Sequence, residues 1–147
     1  MLTKKESYNV AVVGATGIVG ESLLEILYSR RFPISSIHAV ASKKSKGSKA
    51  KFGDQLLTVE SLDEFNFTDI DIAFFSAGSS VSKEYATKAT TQGCIVIDNT
   101  SEFRYQQDIP LVIPEVNPQD IDLYKHKNII ANPNCSTIQM LLSLIHI

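Results

Sequence analysis

Apolar and polar positions along the chain fall into short alternating blocks that predict strands and helices in turn. Tyr8–Val13 is a nearly unbroken apolar run ending in glycine, as expected of a parallel strand buried on both faces. Ile18, Val19, Leu23, Leu24, Ile26 and Leu27 then form a helical stripe over Ile18–Tyr28, with Glu21 and Glu25 outside it, and Phe32-Pro33 stops the helix. Ile37–Ala41 reads as a second strand, Ser42–Lys51 as a lysine-rich loop and Leu56–Val59 as a weaker strand. Ile72–Phe75 and Ile95–Ile97 are further buried strands, separated by a helix over Val81–Gln92 that Gly93 closes. Thr100–Asn117 breaks the rhythm as a long connection, of the kind that is usually functional or disordered. Pro118-Gln119-Asp120 opens a short helix, Asn128–Ala131 returns to a strand, and Ile138–Ile147 is an apolar, helix-compatible tail. This alternation predicts right-handed βαβ units and an α/β fold, a doubly wound, mostly parallel sheet.

Composition narrows the function classes. The 147 residues suit one domain with its own core. Fourteen Lys and Arg against 16 Asp and Glu give a net charge of -2, which argues against a nucleic-acid-binding field. No apolar run is long enough for a membrane span, and the polar Met1–Ser7 segment is no secretory signal, so a cytoplasmic protein is expected. The two cysteines, Cys94 and Cys135, lack metal-ligand spacing, and no metal site is expected.

Gly14-Ala15-Thr16-Gly17-Ile18-Val19-Gly20 joins the first strand to the first helix. Glycines there permit a tight turn, close approach of a pyrophosphate and close helix–strand packing, and the helix N-terminus offers unpaired N–H groups. The context favours dinucleotide binding over a ligand-free glycine turn. NAD sites usually carry an acidic residue at the end of the second strand for the ribose 2′-hydroxyl. Here that end reads Ala41-Ser42-Lys43-Lys44-Ser45-Lys46-Gly47, without a carboxylate and with Lys49 and Lys51 close behind. Lysines and serine hydroxyls suit a 2′-phosphate, so NADP is the expected cofactor.

Cys94 opens a buried strand and reads as a small core residue. Cys135 follows Asn132-Pro133-Asn134 and precedes a helix. A thiolate is stabilised at a helix N-terminus, and Asn134 with backbone donors suits an oxyanion. The spacing alone leaves two readings open, a nucleophile and a buried cysteine at a strand end. Beside a nicotinamide, a nucleophilic cysteine implies oxidation of an aldehyde through a thioester.

Five segments together resemble the aspartate-semialdehyde dehydrogenases: Gly14–Gly20, Ser76-Ala77-Gly78, Asp98–Arg104, Val112–Asn117 and Ile130–Gln139, the last two being highly specific. The likeness runs in order from Tyr8 to about Met140. It implies a Rossmann-like NAD(P)-binding domain and the NADP-dependent interconversion of L-4-aspartyl phosphate and L-aspartate 4-semialdehyde, a step toward lysine, methionine and threonine. It also implies residue roles. Gly14, Thr16, Gly17, Ile18 and Val19 lie at the pyrophosphate, Lys44 and Ser45 at the adenosine end, and Ser76 and Gly78 elsewhere along the cofactor. Arg104, helped by Asn99, binds the substrate phosphate, and Cys135 carries the acyl group. Lys44 stands where the family often has arginine. Related alternatives are N-acetyl-glutamyl-phosphate reductase, whose cysteine segment usually reads differently, and a non-catalytic NADP-binding module.

Family members are much longer, and their second domain supplies a histidine base, an arginine for the substrate carboxylate, a lysine for phosphate and most of a dimer interface. The expectation is therefore that residues 1–147 form the dinucleotide-binding domain with the cysteine loop, without the substrate and dimerisation domain, and are inactive alone. The full-length enzyme is expected to be a homodimer or homotetramer acting on a small-molecule substrate and phosphate. His38, His126 and His146 read as core or surface residues. The apolar tail is expected to be buried, or to drive self-association where nothing covers it.

Overall fold

A computed structural model describes residues 4–146. Met1–Thr3, at the start of the polar N-terminal segment, and Ile147, at the end of the apolar tail, lie outside the described residues. The main sheet comprises β1 (Tyr8–Val13), β2 (Ile34–Ala41), β5 (Glu60–Ser61), β6 (Ile72–Phe75), β7 (Ile95–Asp98) and β8 (Ile129–Ala131). Its order is β5-β2-β1-β6-β7-β8, and every pairing is parallel. β3 (Lys49–Phe52) and β4 (Gln55–Thr58) form a separate antiparallel ribbon. Three α-helices are present among the described residues: α1 (Ile18–Ser29), α2 (Ser79–Thr91) and α3 (Cys135–Ile145).

β1 shows why the sheet is doubly wound. Successive side chains leave a strand on opposite faces. Val10 and Val12 pack with Leu24 and Leu27 of α1, whereas Ala11 and Val13 pack with Ala86 and Ala89 of α2. Two apolar cores therefore flank one strand, and β1 carries no exposed face to anchor a polar pattern. The chain winds outward from β1 to β5, returns, and winds the other way from β6 to β8. This reversal opens a crevice beyond the C-terminal ends of β1 and β6.

Several boundaries differ from the sequence reading. β2 begins at Ile34, because Ser36 finds a partner inside the sheet, its hydroxyl donating to Asn9 Oδ1 at 2.9 Å. The lysine-rich segment is not all loop. It holds a 3-10 turn over Lys43–Ser45 and then β3, which buries Ala50 toward α1 while Lys49 and Lys51 stay exposed. Gly53 and Asp54 close the hairpin, with Gly53 at φ +59° against the Tyr28 ring. The helix opening at Pro118 is a 3-10 helix over Pro118–His126, so His126 ends a helix rather than lying in a loop.

The long connection from Thr100 is irregular yet ordered. Phe103, Ile109, Val112 and Ile113 are buried, and Leu111 bridges in parallel to Ala131 at the edge of β8. Asn117 closes the far end, with its Oδ1 accepting from Ile113 N–H and its amide nitrogen donating to Leu111 O and Asp120 Oδ2. α3 departs most from expectation, since none of its residues is buried and Met140 and Leu144 are 57% and 58% exposed. It follows the edge strand β8, and among the described residues only its Ile138, Leu141 and Leu142 are partly covered.

Candidate active site

The glycine turn between β1 and α1 is built by close approach. Gly14 has φ +92°, and a Cβ there would stand 2.8 Å from Ser76 Oγ and 3.0 Å from Ala77 N. Gly20, inside α1, lies against the Gly14 carbonyl and Ala15 Cα, leaving no room for a side chain. Gly17 is different. Its absent Cβ would meet only Gly14 O, at an ordinary 3.4 Å. The Gly17 N–H already donates to Gly14 O, which tightens the turn. The first-turn N–H groups of Ile18 and Val19 have no intrahelical acceptor and define a positive helix end. Their side chains are 86% and 50% exposed, an arrangement that apolar packing within this domain does not explain.

A cleft of about 740 Å³ runs along this turn. Gly14, Thr16, Gly17, Lys44 and Ser76 line it; Ile18, Val19, Ser45 and Gly78 are not among its walls. Ser76 donates its hydroxyl to Val13 O at 3.1 Å, joining the two strands at the reversal point. Gly78 takes φ +103° just before α2, with open space where a Cβ would stand. The cleft thus has bare backbone at Gly14 and Gly17 and cations at its rim, with the unpaired helix-end donors of Ile18 and Val19 next to Gly17 in the chain, an arrangement that fits a dinucleotide diphosphate.

The basic segment divides its lysines. Lys46 pairs with Glu64 at 2.5 Å, and Lys49 donates to the Thr58 hydroxyl at 2.7 Å. Lys43 and Lys44 line the cleft and make no ion pair among the described residues. The cleft also holds acidic groups that the sequence reading did not place there, Asp63 and Glu84. The Tyr85 hydroxyl donates to Asp63 Oδ1 at 2.9 Å. That bond to a carboxylate, followed by desolvation, pushes the phenol up to about 12.

A second cluster lies at the ends of β7 and β8. Arg104 donates through Nε to Asn132 O at 3.0 Å and through Nη2 to Asn99 O at 2.9 Å. Asn132 Nδ2 in turn donates to Asn99 Oδ1 at 2.5 Å. The guanidinium is fixed by two carbonyls that leave its charge unneutralised, and one face of the fork has no partner among the described residues. Asn132 is a clamp that the sequence reading missed, although it sits in the same specific segment as Cys135. Below it, the buried Asp98 carboxylate accepts from Ser82 Oγ at 2.6 Å and Thr100 Oγ1 at 2.7 Å. These bonds tie the start of the Arg104 connection to β7 and α2.

Cys135 is the first residue of α3 and is exposed, so the buried-cysteine alternative does not hold. Asn134 caps the helix, its Oδ1 accepting from Ser136 N–H at 2.9 Å. The same oxygen lies 4.0 Å from Cys135 Sγ. Cys94 is fully buried, and burial, with a contribution from the Asp71 charge, pushes its thiol up to about 12. None of the three histidines lies on the loops bearing Cys135, Asn99 and Arg104: His38 is on β2, bonded to Glu60, and His146 caps the far end of α3.

A parallel sheet of this strand order, with a glycine cradle at its reversal point, defines a nicotinamide-dinucleotide-binding α/β domain; this one also presents an exposed cysteine at a helix start. The chain belongs to the semialdehyde dehydrogenases, and residues 9–124 match the family model described as semialdehyde dehydrogenase, NAD binding domain. It is 55% identical over 136 residues to aspartate-semialdehyde dehydrogenase of Legionella pneumophila, covering 92% of this chain and 39% of that protein. A crystal structure of aspartate semialdehyde dehydrogenase II from Vibrio cholerae, complexed with ASA, matches with TM-score 0.91 and 50% identity, over 94% of this chain and 45% of that one. Aspartate semialdehyde dehydrogenase from Candida albicans, crystallised with NADP, matches with TM-score 0.74 and 30% identity, over 90% of this chain and 44% of that one. The chain therefore spans less than half the length of these relatives.

Proposed function

We propose that residues 1–147 are the cofactor-binding and nucleophile-bearing part of an aspartate-semialdehyde dehydrogenase, interconverting L-4-aspartyl phosphate and L-aspartate 4-semialdehyde with NADP. The observation that carries this reading is the pairing of an exposed, Asn134-capped Cys135 with Arg104, whose guanidinium Asn99 and Asn132 hold ready for an anion. In this reading Gly14, Thr16, Gly17, Ile18 and Val19 cradle the pyrophosphate. Lys44, with Ser45 on the same turn, meets the 2′-phosphate, and Ser76 and Gly78 border the cofactor at the sheet's reversal.

The residues support a definite chemistry. Cys135 Sγ, as thiolate, bonds to the aldehyde carbon, and the carbonyl π electrons move to oxygen. The α3 N-terminus and the Asn134 amide nitrogen offer donors to that oxyanion. The C–H bond of that adduct breaks with its electron pair leaving as hydride, for which a bound nicotinamide would be the acceptor, and re-formation of the C=O leaves a thioester on Cys135. Arg104 and Asn99 then hold inorganic phosphate, whose oxygen attacks the thioester carbon. The C–S bond breaks, the acyl phosphate leaves, and the Cys135 thiolate is restored. A proton acceptor and a partner for the substrate α-carboxylate are assigned to the remainder of the longer enzyme, which would also form the homodimer or homotetramer. The free cysteines suit a cytoplasmic setting.

Incubation of the longer enzyme that carries these residues with aspartate semialdehyde and NADP⁺ in the absence of phosphate should leave an acyl mass on the peptide containing Cys135. Phosphate should then remove it, and Cys135→Ala should never acquire it. An adduct on another residue, or one that phosphate leaves in place, would contradict the reading.

A further inference from the structure

The end of the second strand lacks a carboxylate in sequence, yet the folded cleft contains two, Asp63 and Glu84. Asp63 lies two residues beyond β5 and shares the cleft with Lys43, Lys44 and Tyr85. NAD-binding sites hold a ribose 2′-hydroxyl with a carboxylate at the end of the second strand; Asp63 comes instead from beyond β5, the strand paired with β2, and lines the same cleft. It also repels a 2′-phosphate. Here its Oδ1 accepts from the Tyr85 hydroxyl at 2.9 Å, which fixes where that charge sits in the cleft.

We propose that Tyr85 is a positioning residue for cofactor selectivity, restraining the Asp63 carboxylate so that Lys43 and Lys44 decide in favour of the 2′-phosphorylated dinucleotide. The inference rests on the NADP reading given above. Tyr85 is well suited to restrain a neighbour. Its ring packs against the core cluster containing Ala86 and Ala89, and the Lys88 ammonium lies 5.6 Å from the ring centroid. The hydroxyl therefore projects from a fixed support, whereas Asp63 is exposed and has no other hydrogen-bond partner among the described residues. A donated O–H to a carboxylate is charge-assisted, so it both holds the side chain and spreads its charge. Glu84 also lines the cleft and interacts with the Tyr85 hydroxyl, so an effect of Tyr85→Phe is assigned to Asp63 only where it vanishes in the Asp63→Asn background.

Fluorescence titration of the 147-residue chain with NADPH and with NADH tests this directly. Wild type should favour NADPH. Tyr85→Phe should lower the NADPH-to-NADH affinity ratio by up to about fivefold, the range of an exposed charge interaction. Asp63→Asn should not lower the ratio, and adding Tyr85→Phe to Asp63→Asn should leave it unchanged. A Tyr85→Phe variant that weakens both cofactors equally, or that lowers the ratio just as much without Asp63, would overturn the inference. A wild type that binds both cofactors equally would overturn the NADP reading itself.

Discussion

Brief alkylation at neutral pH should label Cys135 and leave Cys94 untouched. Burial acts on Cys94 in two ways, both in the same direction. Cys94 is fully buried between β6 and the start of β7, so reagent reaches it only through opening of the core. Its thiol is also raised from 9.0 to about 12, which depletes the reactive thiolate by roughly three orders of magnitude. Cys135 is exposed at the first residue of α3, where reagent meets it without any opening of the fold. Peptide mass spectrometry should find the label on Cys135 alone until the protein is denatured. Label on Cys94 at early times would contradict the assignment of one cysteine to the core and the other to chemistry.

Gly20→Ala and Gly17→Ala should separate folding from binding within one seven-residue turn. At Gly20 a methyl group would enter the space of Gly14 O and Ala15 Cα, which are backbone atoms in the tightest part of the fold. Neither can rotate away, so α1 must move off β1. Overpacking of this kind costs about 3 kcal/mol, and for a domain of this size that lowers Tm by roughly 6–12 °C. At Gly17 the same methyl meets only Gly14 O at 3.4 Å and otherwise points into open space. The fold should keep its Tm within a degree or two, since exposed substitutions usually change stability by about 0.5 kcal/mol or less. NADPH affinity should nevertheless fall about tenfold or more, because the methyl screens the Ile18 and Val19 N–H donors from the pyrophosphate. One charge-assisted hydrogen bond is worth about 1.5–3 kcal/mol. Thermal melts and titrations of both variants check this, and equal destabilisation by the two substitutions would contradict it.

Much of the architecture was legible because it rests on local signals. β1 is an apolar run that stops at a glycine, and that glycine's positive φ and contact with Ser76 are what the pattern requires. The helix stripe over α1 and the breaks at Pro33 and Gly93 likewise mark real boundaries. β3 was hidden by its lysines, although Lys49-Ala50-Lys51-Phe52 alternates as a half-buried strand should and Gly53-Asp54 is a hairpin signal. β5 has two residues and no pattern to read; only its pairing with Val40 and Ala41 defines it.

The chemistry divides in the same way. Cys135 stood out because it follows Asn132-Pro133-Asn134 at a predicted strand end and precedes a helix, whereas Arg104 and Asn99 were reached only through the family resemblance of Asp98–Arg104. Asn132 could have been found by the same reasoning, but its role as a clamp depends on where the chain from Thr100 returns. Asp63 and Tyr85 were invisible for a tertiary reason. They come from after β5 and from the middle of α2, and nothing near Lys44 in sequence shows that a carboxylate will share its cleft. The exposure of α3 is likewise a matter of what stands beside it, which an apolar pattern cannot specify.

The central proposal is that this domain reads the 2′-phosphate of its cofactor through Lys43 and Lys44, which make no ion pair among the described residues. Titrating the chain with NADPH and NADH, in wild type and in Lys44→Glu, tests it most directly. The account predicts that wild type binds NADPH more tightly and that Lys44→Glu removes or reverses the preference, with NADH affinity little changed. Equal wild-type affinities, or a preference that survives Lys44→Glu intact, would contradict it.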